Sequence, residues 1–236
     1  MIFVENFVKI LKKNKVDFFT GVPDSILKNL SLYLENFSIK KHIIAANEGA
    51  AVSVGIGYYL SRKKIPCVYF QNSGLGNAIN PLISIAHKEV YSIPLLLIIG
   101  WRGSPNQPDE PQHKAKGKIT KKLLQLLKVK HCVLKSEKDL LKLKNLIKIS
   151  YREKRIVACL IEKNSLEIKK VKKKNKIDFS LLRSDFIEKL LSLIPKNSKI
   201  ISTTGYTSRE LMQIRKNKKK TKGKDFYMVG GMGHSS

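Results

Sequence analysis

Ile43-Ile44-Ala45-Ala46-Asn47-Glu48-Gly49-Ala50-Ala51-Val52-Ser53-Val54-Gly55-Ile56-Gly57-Tyr58-Tyr59-Leu60 is the stretch that decides the fold of this chain. Its short apolar start predicts a buried strand, and the small residues that follow at helical spacing predict a tightly packed helix. Glu48, the only charged residue of the stretch, lies between the two. A carboxylate there is close to helix N–H groups and to the carboxyl edge of a sheet, where α/β proteins place ligands. Glu48 is therefore either a functional proton donor or acceptor, or a first-turn residue that complements the helix dipole; these residues favour neither.

The chain has 236 residues and a net charge of +28, from 46 Lys and Arg against 18 Asp and Glu. Hydrophobic residues make up 42% of it, which is enough for a substantial core. Only 7 of the basic residues are Arg and 39 are Lys. Specific nucleic-acid recognition uses more Arg and interleaves aromatic residues with the charge. The charge is therefore interpreted mainly as solvated surface, and no specific nucleic acid is expected as a partner.

The three cysteines, Cys67, Cys132 and Cys159, are far apart in the sequence and form no CxxC motif. Their spacing and odd number favour neither a metal site nor a disulfide, and they are typical of a reducing cytoplasm. The first five residues lack the basic start of a signal peptide. The longest apolar runs are too short to span a bilayer, so we expect a cytoplasmic protein.

Strand and helix patterns alternate along the first 161 residues. The predicted strands cover residues 16–20, 39–45, 65–70, 95–99, 132–134 and 156–161. The predicted helices cover residues 4–13, 26–34, 75–86, 119–127 and 137–151, together with the helix that follows Glu48; residues 100–118 form a long polar loop. Such alternation predicts an α/β fold with a doubly wound, mostly parallel sheet, and the wholly apolar strand 95–99 is predicted to be central.

Lysine dominates residues 169–178, which we interpret as a solvated linker because such runs self-repel and lack an apolar face. After the linker the alternation restarts, with helices predicted over 179–193 and 207–215 and strands over 199–204 and 226–229. The sequence therefore predicts a first domain over residues 1–168 and the start of a second α/β domain over residues 179–236. The second domain is expected to be incomplete, because it stops at the first turn of a further helix.

Three glycine-containing turns are candidates for close approach to a ligand. The first, Gly74-Leu75-Gly76, resembles half of a dinucleotide-binding motif, but its third glycine position holds Ile79. A second turn, at Gly205, opens a helix and either binds an anion or is an ordinary cap. The third surrounds Met232, which is either the apolar tip of a functional turn or a core residue.

Five motifs follow one another in a characteristic order along the chain. They are Gly21-Val-Pro-Asp-Ser25, Ala46-Asn-Glu-Gly49, Gln71-Asn-Ser-Gly-Leu-Gly-Asn77, Gly100-Trp-Arg-Gly103 and Asp109-Glu-Pro-Gln-His113. Together they resemble the thiamine-diphosphate-dependent decarboxylases, and among these the enzymes that act on phosphonopyruvate, with the sulfopyruvate enzymes as near relatives. The resemblance implies a pyrimidine-binding domain over residues 1–168 and the beginning of a diphosphate-binding domain after it.

The resemblance also implies roles for individual residues. Glu48 corresponds to the glutamate that hydrogen-bonds a ring nitrogen of the cofactor's aminopyrimidine and controls its proton. The other implied cofactor contacts are Asn72, Gly74, Asn77, Gly205, Thr207, Ser208 and Met232. Ser25, Arg102 and His113 are the implied substrate residues, His113 being also a candidate proton donor. Two alternatives stay open: His113 as a solvated loop residue, and Arg102 as the ion-pair partner of Asp109 or Glu110.

The activity implied by the resemblance is that of a lyase, which converts 3-phosphonopyruvate to phosphonoacetaldehyde and carbon dioxide in phosphonate biosynthesis. The implied cofactors are thiamine diphosphate and Mg²⁺. The Mg²⁺ ligands are expected outside this chain, because the family's Gly-Asp-Gly segment has no counterpart in it. We therefore expect a homo-oligomer or a partner chain to complete the site. The alternatives are sulfopyruvate as the substrate, a non-catalytic fragment or subunit that needs a second chain, and a basic nucleic-acid-binding protein.

Overall fold

A computed structural model of the chain describes residues 1–105, 107–169, 180–195, 197–217 and 225–228. The chain divides into two compact units, Met1–Val171 and Lys172–Ser236. The lysine-rich segment 169–178 lies, except for its first residue, outside the described residues, so the domain boundaries drawn from the sequence stay predictions.

The first unit is built around a six-stranded sheet. The strands of this unit, in chain order, are β1 (Ile2–Phe3), β2 (Phe19–Gly21), β3 (His42–Ile44), β4 (Cys67–Gln71), β5 (Leu96–Gly100), β6 (Lys130–Leu134), β7 (Val157–Ile161) and β8 (Leu166–Glu167). Its helices are α1 (Val4–Lys13), α2 (Lys28–Leu34), α3 (Glu48–Arg62), α4 (Leu75–Pro81), α5 (Pro111–Leu126) and α6 (Leu140–Glu153). Strands β2 to β7 form one sheet in the order β3-β2-β4-β5-β7-β6, and every pair in it is parallel. Strands β1 and β8 form a separate parallel pair.

Helices cover both faces of the large sheet, as alternation along β4 shows. Cys67 and Tyr69 belong to a core cluster with residues of α1, α2 and α6. Val68 and Phe70 belong to a second cluster with residues of α3, α4 and α5. The doubly wound α/β fold predicted from the sequence is therefore confirmed, and β5 is central, between β4 and β7.

The strand order reverses at β2. The chain moves from β2 to β3 on one side and then returns to place β4 on the other side. In a parallel sheet such a switch point opens a crevice at the carboxyl ends of the strands, which is where α/β proteins bind ligands. The loops after β2, β3, β4 and β5, which carry four of the five sequence motifs, all leave the sheet at this edge.

Helix α5 begins earlier than the sequence predicted. We expected a loop over residues 100–118, but the helix starts at Pro111. Proline suits the first helical position, since its missing N–H would have no partner there and its φ is already helical. The first two turns, through Lys118, are mostly polar, so no apolar periodicity marked them as helix.

Helix α2 begins later than predicted, at Lys28. Asp24, in the turn before the helix, accepts hydrogen bonds from the backbone N–H groups of Ile26 and Leu27, both at 3.2 Å. Its carboxylate therefore stabilises a turn that precedes the helix, rather than the helix itself.

The second unit repeats the predicted alternation over the residues that are described. It contains α7 (Arg183–Leu193), β9 (Ile201–Ser202), α8 (Tyr206–Asn217) and β10 (Phe226–Tyr227). The two strands pair in parallel, and Arg183 and Glu210 join the two helices with an N–O distance of 2.7 Å. The strands are shorter than the sequence predicted.

Four helices of the first unit are followed, within two residues of their last helical residue, by a lysine in the left-handed backbone region. The φ angles are +62° at Lys15, +56° at Lys63, +52° at Lys128 and +44° at Lys154. Glycine is the usual residue in this conformation, because a Cβ costs about 1–2 kcal/mol there. A lysine at a helix C-terminus compensates in part through its charge, which interacts favourably with the helix dipole.

A buried hydrogen bond joins β3 to β4 across β2, the strand that lies between them. The Tyr69 hydroxyl on β4 lies 2.7 Å from Nε2 of His42 on β3. The tyrosine ring passes over Gly21, where a Cβ would overlap the Tyr69 carbonyl oxygen and come within 2.6 Å of the ring. Burial raises the pKa of Tyr69 and lowers the pKa of His42, so both partners are neutral near pH 7.

We therefore expect Gly21→Ala to lower the free energy of unfolding by about 3 kcal/mol or more, because the new methyl group has no space. Gly57→Ala is the matched control, since a Cβ there meets nothing within 4 Å. That change should instead stabilise α3 by about 0.5–1 kcal/mol. Urea unfolding of the two variants measures both effects, and equal stabilities would contradict the packing described here.

Candidate functional site

Glu48 is the first residue of α3 and is only 6% exposed. Its position is fixed by Asn47, whose extended backbone ends the loop and whose Oδ1 accepts a hydrogen bond from the Ala50 N–H at 2.8 Å. This is the usual way to cap a helix, and it places Glu48 in the first turn, where the backbone N–H groups have no partner within the helix. Both sequence interpretations of Glu48 are compatible with this placement.

The loop after β4 closes over the Glu48 carboxylate. Asn77 on α4 donates a hydrogen bond from Nδ2 to Glu48 Oε2 at 2.8 Å. Gly74 lies directly against the carboxylate, and a Cβ at this position would overlap its Cδ and Oε1 atoms. Glycine is therefore required at residue 74 for the glutamate to be buried there. The structure brings together three of the residues singled out in the sequence.

Asn72 is buried, and protein groups occupy its side-chain amide. Its Oδ1 accepts from the Arg102 N–H at 3.1 Å, and its Nδ2 donates to the Arg102 carbonyl oxygen at 2.9 Å. Nδ2 also lies 2.9 Å from Thr120 Oγ1 on α5. Asn72 therefore positions the segment after β5, and a direct contact with a cofactor stays a prediction.

Arg102 forms an ion pair with Asp109, one of the two alternatives left open by the sequence. Its Nε lies 3.0 and 2.9 Å from the two carboxylate oxygens, and Nη2 donates to the same group. The Gly103 N–H adds a hydrogen bond of 2.7 Å to the carboxylate. Burial opposes ionisation of Asp109, but the hydrogen bonds from Arg102 and Gly103 outweigh it and lower its pKa to about 2. The remaining Nη1 donates to Ser25 Oγ at 3.1 Å, so two predicted substrate residues are in contact.

His113 lies in the first turn of α5, and its side chain is 15% exposed. The alternative of a solvated loop histidine is therefore wrong. Its Nδ1 is buried and has no hydrogen-bond partner among the described residues, while Nε2 is 3.9 Å from Glu110 Oε2. Burial, followed by the positive charge of Arg102, lowers the pKa of His113. The imidazole is thus neutral near pH 7.

Asp24 was assigned no role in the site from the sequence. The structure buries it beside the Ser25 and Arg102 pair, and this burial raises the pKa of its carboxyl group although backbone N–H groups and Arg102 oppose the rise. It is a titratable group at the same edge of the sheet. Its place directly after β2, in the first of the five motifs, was the available signal.

The predicted diphosphate contacts belong to the second unit. Gly205 has a φ of +92° in the turn before α8, where glycine is favoured. The hydroxyl of Ser208 is buried, donates to the Thr203 carbonyl oxygen at 2.6 Å and lies 2.7 Å from Ser202 Oγ. Thr207 lies beside Ser208 in the sequence, in the first turn of α8. Met232 lies outside the described residues. The roles of all four residues stay predictions.

The described residues hold neither a candidate metal centre nor a membrane-spanning helix. No group of three or more His, Cys, Asp or Glu side chains in that part of the chain is arranged to hold a metal ion. None of the helices described there combines the length and apolarity needed to cross a membrane.

Comparison with known proteins gives consistent similarities. Residues 1–126 match the family described as thiamine pyrophosphate enzyme, N-terminal TPP binding domain. Phosphonopyruvate decarboxylase of Streptomyces viridochromogenes is 30% identical over 233 residues, covering 92% of this chain and 57% of that protein. Sulfopyruvate decarboxylase subunit alpha of Methanococcus maripaludis is 34% identical over 159 residues, covering 67% of this chain and 93% of that subunit.

A solved structure also supports the fold. The structure of a putative thiamin diphosphate-dependent enzyme from Mycobacterium smegmatis aligns with a TM-score of 0.52 at 14% identity, over 79% of this chain and 37% of that one. At this identity the likeness concerns the fold alone. The chain spans little more than half the length of the phosphonopyruvate decarboxylases that it matches.

The Asp109 ion pair predicts a pH-dependent stability. Because the pKa of Asp109 is lowered in the folded chain, its ionised form stabilises the fold at pH values above the ordinary aspartate pKa, and this contribution is lost as the pH falls towards 2. Asp109→Asn should therefore cost about 1–2 kcal/mol at pH 7, and the difference from the wild type should shrink below pH 4.

Urea unfolding at a series of pH values from 7 to 3 measures this dependence. Glu110→Gln is the matched control, since that neighbouring side chain is 47% exposed, and it should change stability far less. A difference between the wild type and Asp109→Asn that stays constant with pH would contradict the role assigned to the ion pair.

Proposed function

The chain belongs to the thiamine pyrophosphate enzymes, and from this membership we propose that it carries out the thiamine-diphosphate-dependent decarboxylation of 3-phosphonopyruvate to phosphonoacetaldehyde and carbon dioxide. The observation that carries the proposal is the buried Glu48 carboxylate, held by Asn77 and Gly74 at the carboxyl edge of a parallel sheet. This edge is where the fold is expected to bind a ligand.

The carboxylate of Glu48 fits the aminopyrimidine end of the cofactor. A carboxylate has about four acceptor positions, and the hydrogen bond from Asn77 uses one of them. Capacity therefore remains for a ring N–H of the aminopyrimidine. Thiamine diphosphate, when bound, supplies the electron sink that allows carbon dioxide to leave. The task of Glu48 would be to hold or release a proton at that ring nitrogen, which is general acid–base work.

Ser25, Arg102 and His113 are the residues proposed to handle the substrate. Arg102 keeps its charge, and the ion pair with Asp109 fixes the direction of its guanidinium group. A fixed cation beside a hydroxyl group suits the phosphonate end of an anionic 2-oxo acid. The imidazole of His113 is neutral near pH 7 and lies in the first turn of α5, so we propose that it accepts or returns a proton near the reacting carbon.

A further polypeptide, either a second copy or a different chain, is proposed to complete the site. The relatives from the methanogens carry the name subunit alpha, which supports an assembly of more than one chain. In this arrangement residues 1–168 would hold the aminopyrimidine, and a diphosphate-binding domain would hold the diphosphate with Mg²⁺. Gly205, Thr207, Ser208 and Met232 belong to the part proposed to contribute to that second task.

Sulfopyruvate is the alternative substrate, because a sulfonate is nearly isosteric with a phosphonate. It is favoured by the sulfopyruvate decarboxylase subunit alpha of Methanococcus maripaludis, which this chain covers almost completely, at 93%. Phosphonopyruvate is favoured by the match over 92% of this chain, which extends into the second unit. The match to phosphonopyruvate decarboxylase includes more of this chain, and we therefore place phosphonopyruvate first.

A comparison of the two acids tests the substrate. The chain is assayed with thiamine diphosphate and Mg²⁺, alone and with a polypeptide that carries a diphosphate-binding domain, and aldehyde formation is measured for each acid. We expect kcat/KM for phosphonopyruvate to exceed that for sulfopyruvate by about tenfold or more, since the dianion forms stronger charge-assisted hydrogen bonds with Arg102. A preference for sulfopyruvate would support the alternative, and no turnover of either acid in any combination would contradict the proposed activity.

Glu48→Gln tests the catalytic residue. Glutamine keeps the shape and the contact with Asn77 but cannot exchange a proton, so kcat should fall about a hundredfold to ten-thousandfold. Circular dichroism and the unfolding midpoint should stay close to those of the wild type. Glu89→Gln, in a side chain that is 69% exposed, is the matched control and should keep full activity. Near-normal turnover of Glu48→Gln would show that the assignment is wrong.

A further inference from the structure

Cys132 and Cys159 face each other across two neighbouring strands. They are 27 residues apart in the sequence, but the parallel register of β6 and β7 places them directly opposite, with their sulfur atoms 3.6 Å apart. Both are thiols in this structure. The proposed decarboxylation uses neither of them, so their proximity is a separate feature of the molecule.

We propose that Cys132 and Cys159 are a redox-active pair, which a small anionic disulfide oxidises to an intrachain disulfide bond. Cys132 is the entry point, because it is only partly buried, whereas Cys159 is completely buried. The hydrogen bond with Cys159 and the charge of Lys142 lower the pKa of Cys132, while the pKa of Cys159 is raised. At neutral pH Cys132 is therefore the thiol that more readily ionises and attacks.

The surroundings of Cys132 favour an anionic reagent. The thiol lines a cavity of about 420 Å³ whose other lining residues are Lys121, His131, Val133, Lys135, Asp139 and Lys142. Lys142 pairs with Asp139 at 2.6 Å, and Lys135 pairs with Glu162 at 3.1 Å. Lys121 lies over the Trp101 ring at 4.9 Å and adds a further positive charge. A carboxylate-bearing disulfide is attracted to such a cavity, whereas a neutral one gains nothing from it.

The reaction balances as two successive thiol–disulfide exchanges. The Cys132 thiolate attacks one sulfur of the small disulfide, forms a mixed disulfide and releases one small thiolate. The Cys159 sulfur then attacks the Cys132 sulfur and displaces the second small thiolate, which takes up the proton that Cys159 loses. The two cysteines lose two electrons, and the small disulfide gains them as two thiols.

The geometry permits the bond. Neighbouring strands are about 4.8 Å apart, which lies within the range of about 4.4–6.8 Å between Cα atoms that a disulfide needs. The sulfur atoms must approach each other to about 2.05 Å, and β6 is an edge strand that can shift to allow it. Cys67 cannot replace Cys132, because it lies on β4, two strands away from β7 and therefore about 10 Å from Cys159.

Glutathione disulfide, with hydroxyethyl disulfide as its neutral counterpart, tests the proposal on the native 236-residue chain. After incubation the free thiols are alkylated, and the digested protein is analysed by mass spectrometry. We expect a cross-linked Cys132–Cys159 peptide, a protein lighter by two hydrogen atoms, and complete reversal by dithiothreitol. The anionic reagent should react several-fold faster at low ionic strength, and this advantage should shrink as salt is added.

Three variants separate the steps. Cys159→Ala should stop at a stable glutathione adduct on Cys132, and Cys132→Ala should not react under native conditions. Cys67→Ala, the matched control, should form the cross-link at the wild-type rate. A wild-type protein that stops at the adduct, or that does not react while folded, would overturn the proposal. Equal rates for the two reagents would overturn its assignment to anionic disulfides.

Discussion

The contact between the Glu48 carboxylate and the backbone of Gly74 is the one on which the site depends. A buried carboxylate is costly unless hydrogen bonds and dipoles compensate for its lost hydration. Here the first turn of α3 and the amide of Asn77 supply that compensation. The approach is possible because α3 and α4 pack side by side on one face of the sheet, and because residue 74 has no side chain. The packing of α3 beside α4 and the absence of a Cβ at residue 74 are thus both required for this contact.

A second set of contacts ties the remaining loops of the same edge to one another. Asn72, after β4, holds the backbone of Arg102, after β5, and Asp109 holds the guanidinium group of that arginine. Arg102 Nη1, which takes no part in the ion pair, donates a hydrogen bond to Ser25 in the loop after β2. Three loops that are distant in the sequence are therefore fixed through one residue, Arg102, whose charge is kept and whose guanidinium direction is set. A loop arginine free in solvent would offer the same charge without the direction.

Local patterns were enough to predict most of the elements, but not the contacts between them. The helix from Glu48 and the central strand 95–99 carry strong periodicity or continuous apolarity, and both were found. The start of α5 at Pro111 was missed, because its first two turns are mostly polar and carry no apolar stripe. The partner of Arg102 was left open, since a charge pair across a loop has no sequence period. The pairing of Cys132 with Cys159 depends on strand register, which spacing along the chain does not reveal.

The four lysines at left-handed helix ends show how the composition of this chain shapes its backbone. Lys15, Lys63, Lys128 and Lys154 occupy positions where glycine would be free of strain, and each replaces that freedom with a positive charge at the negative end of a helix. The strain is steric and independent of solvent, whereas the electrostatic compensation is screened by dissolved ions. We therefore expect the last turns of α1, α3, α5 and α6 to fray more readily in concentrated salt. The stability of these helix termini should therefore depend on the ionic strength of the surrounding solution.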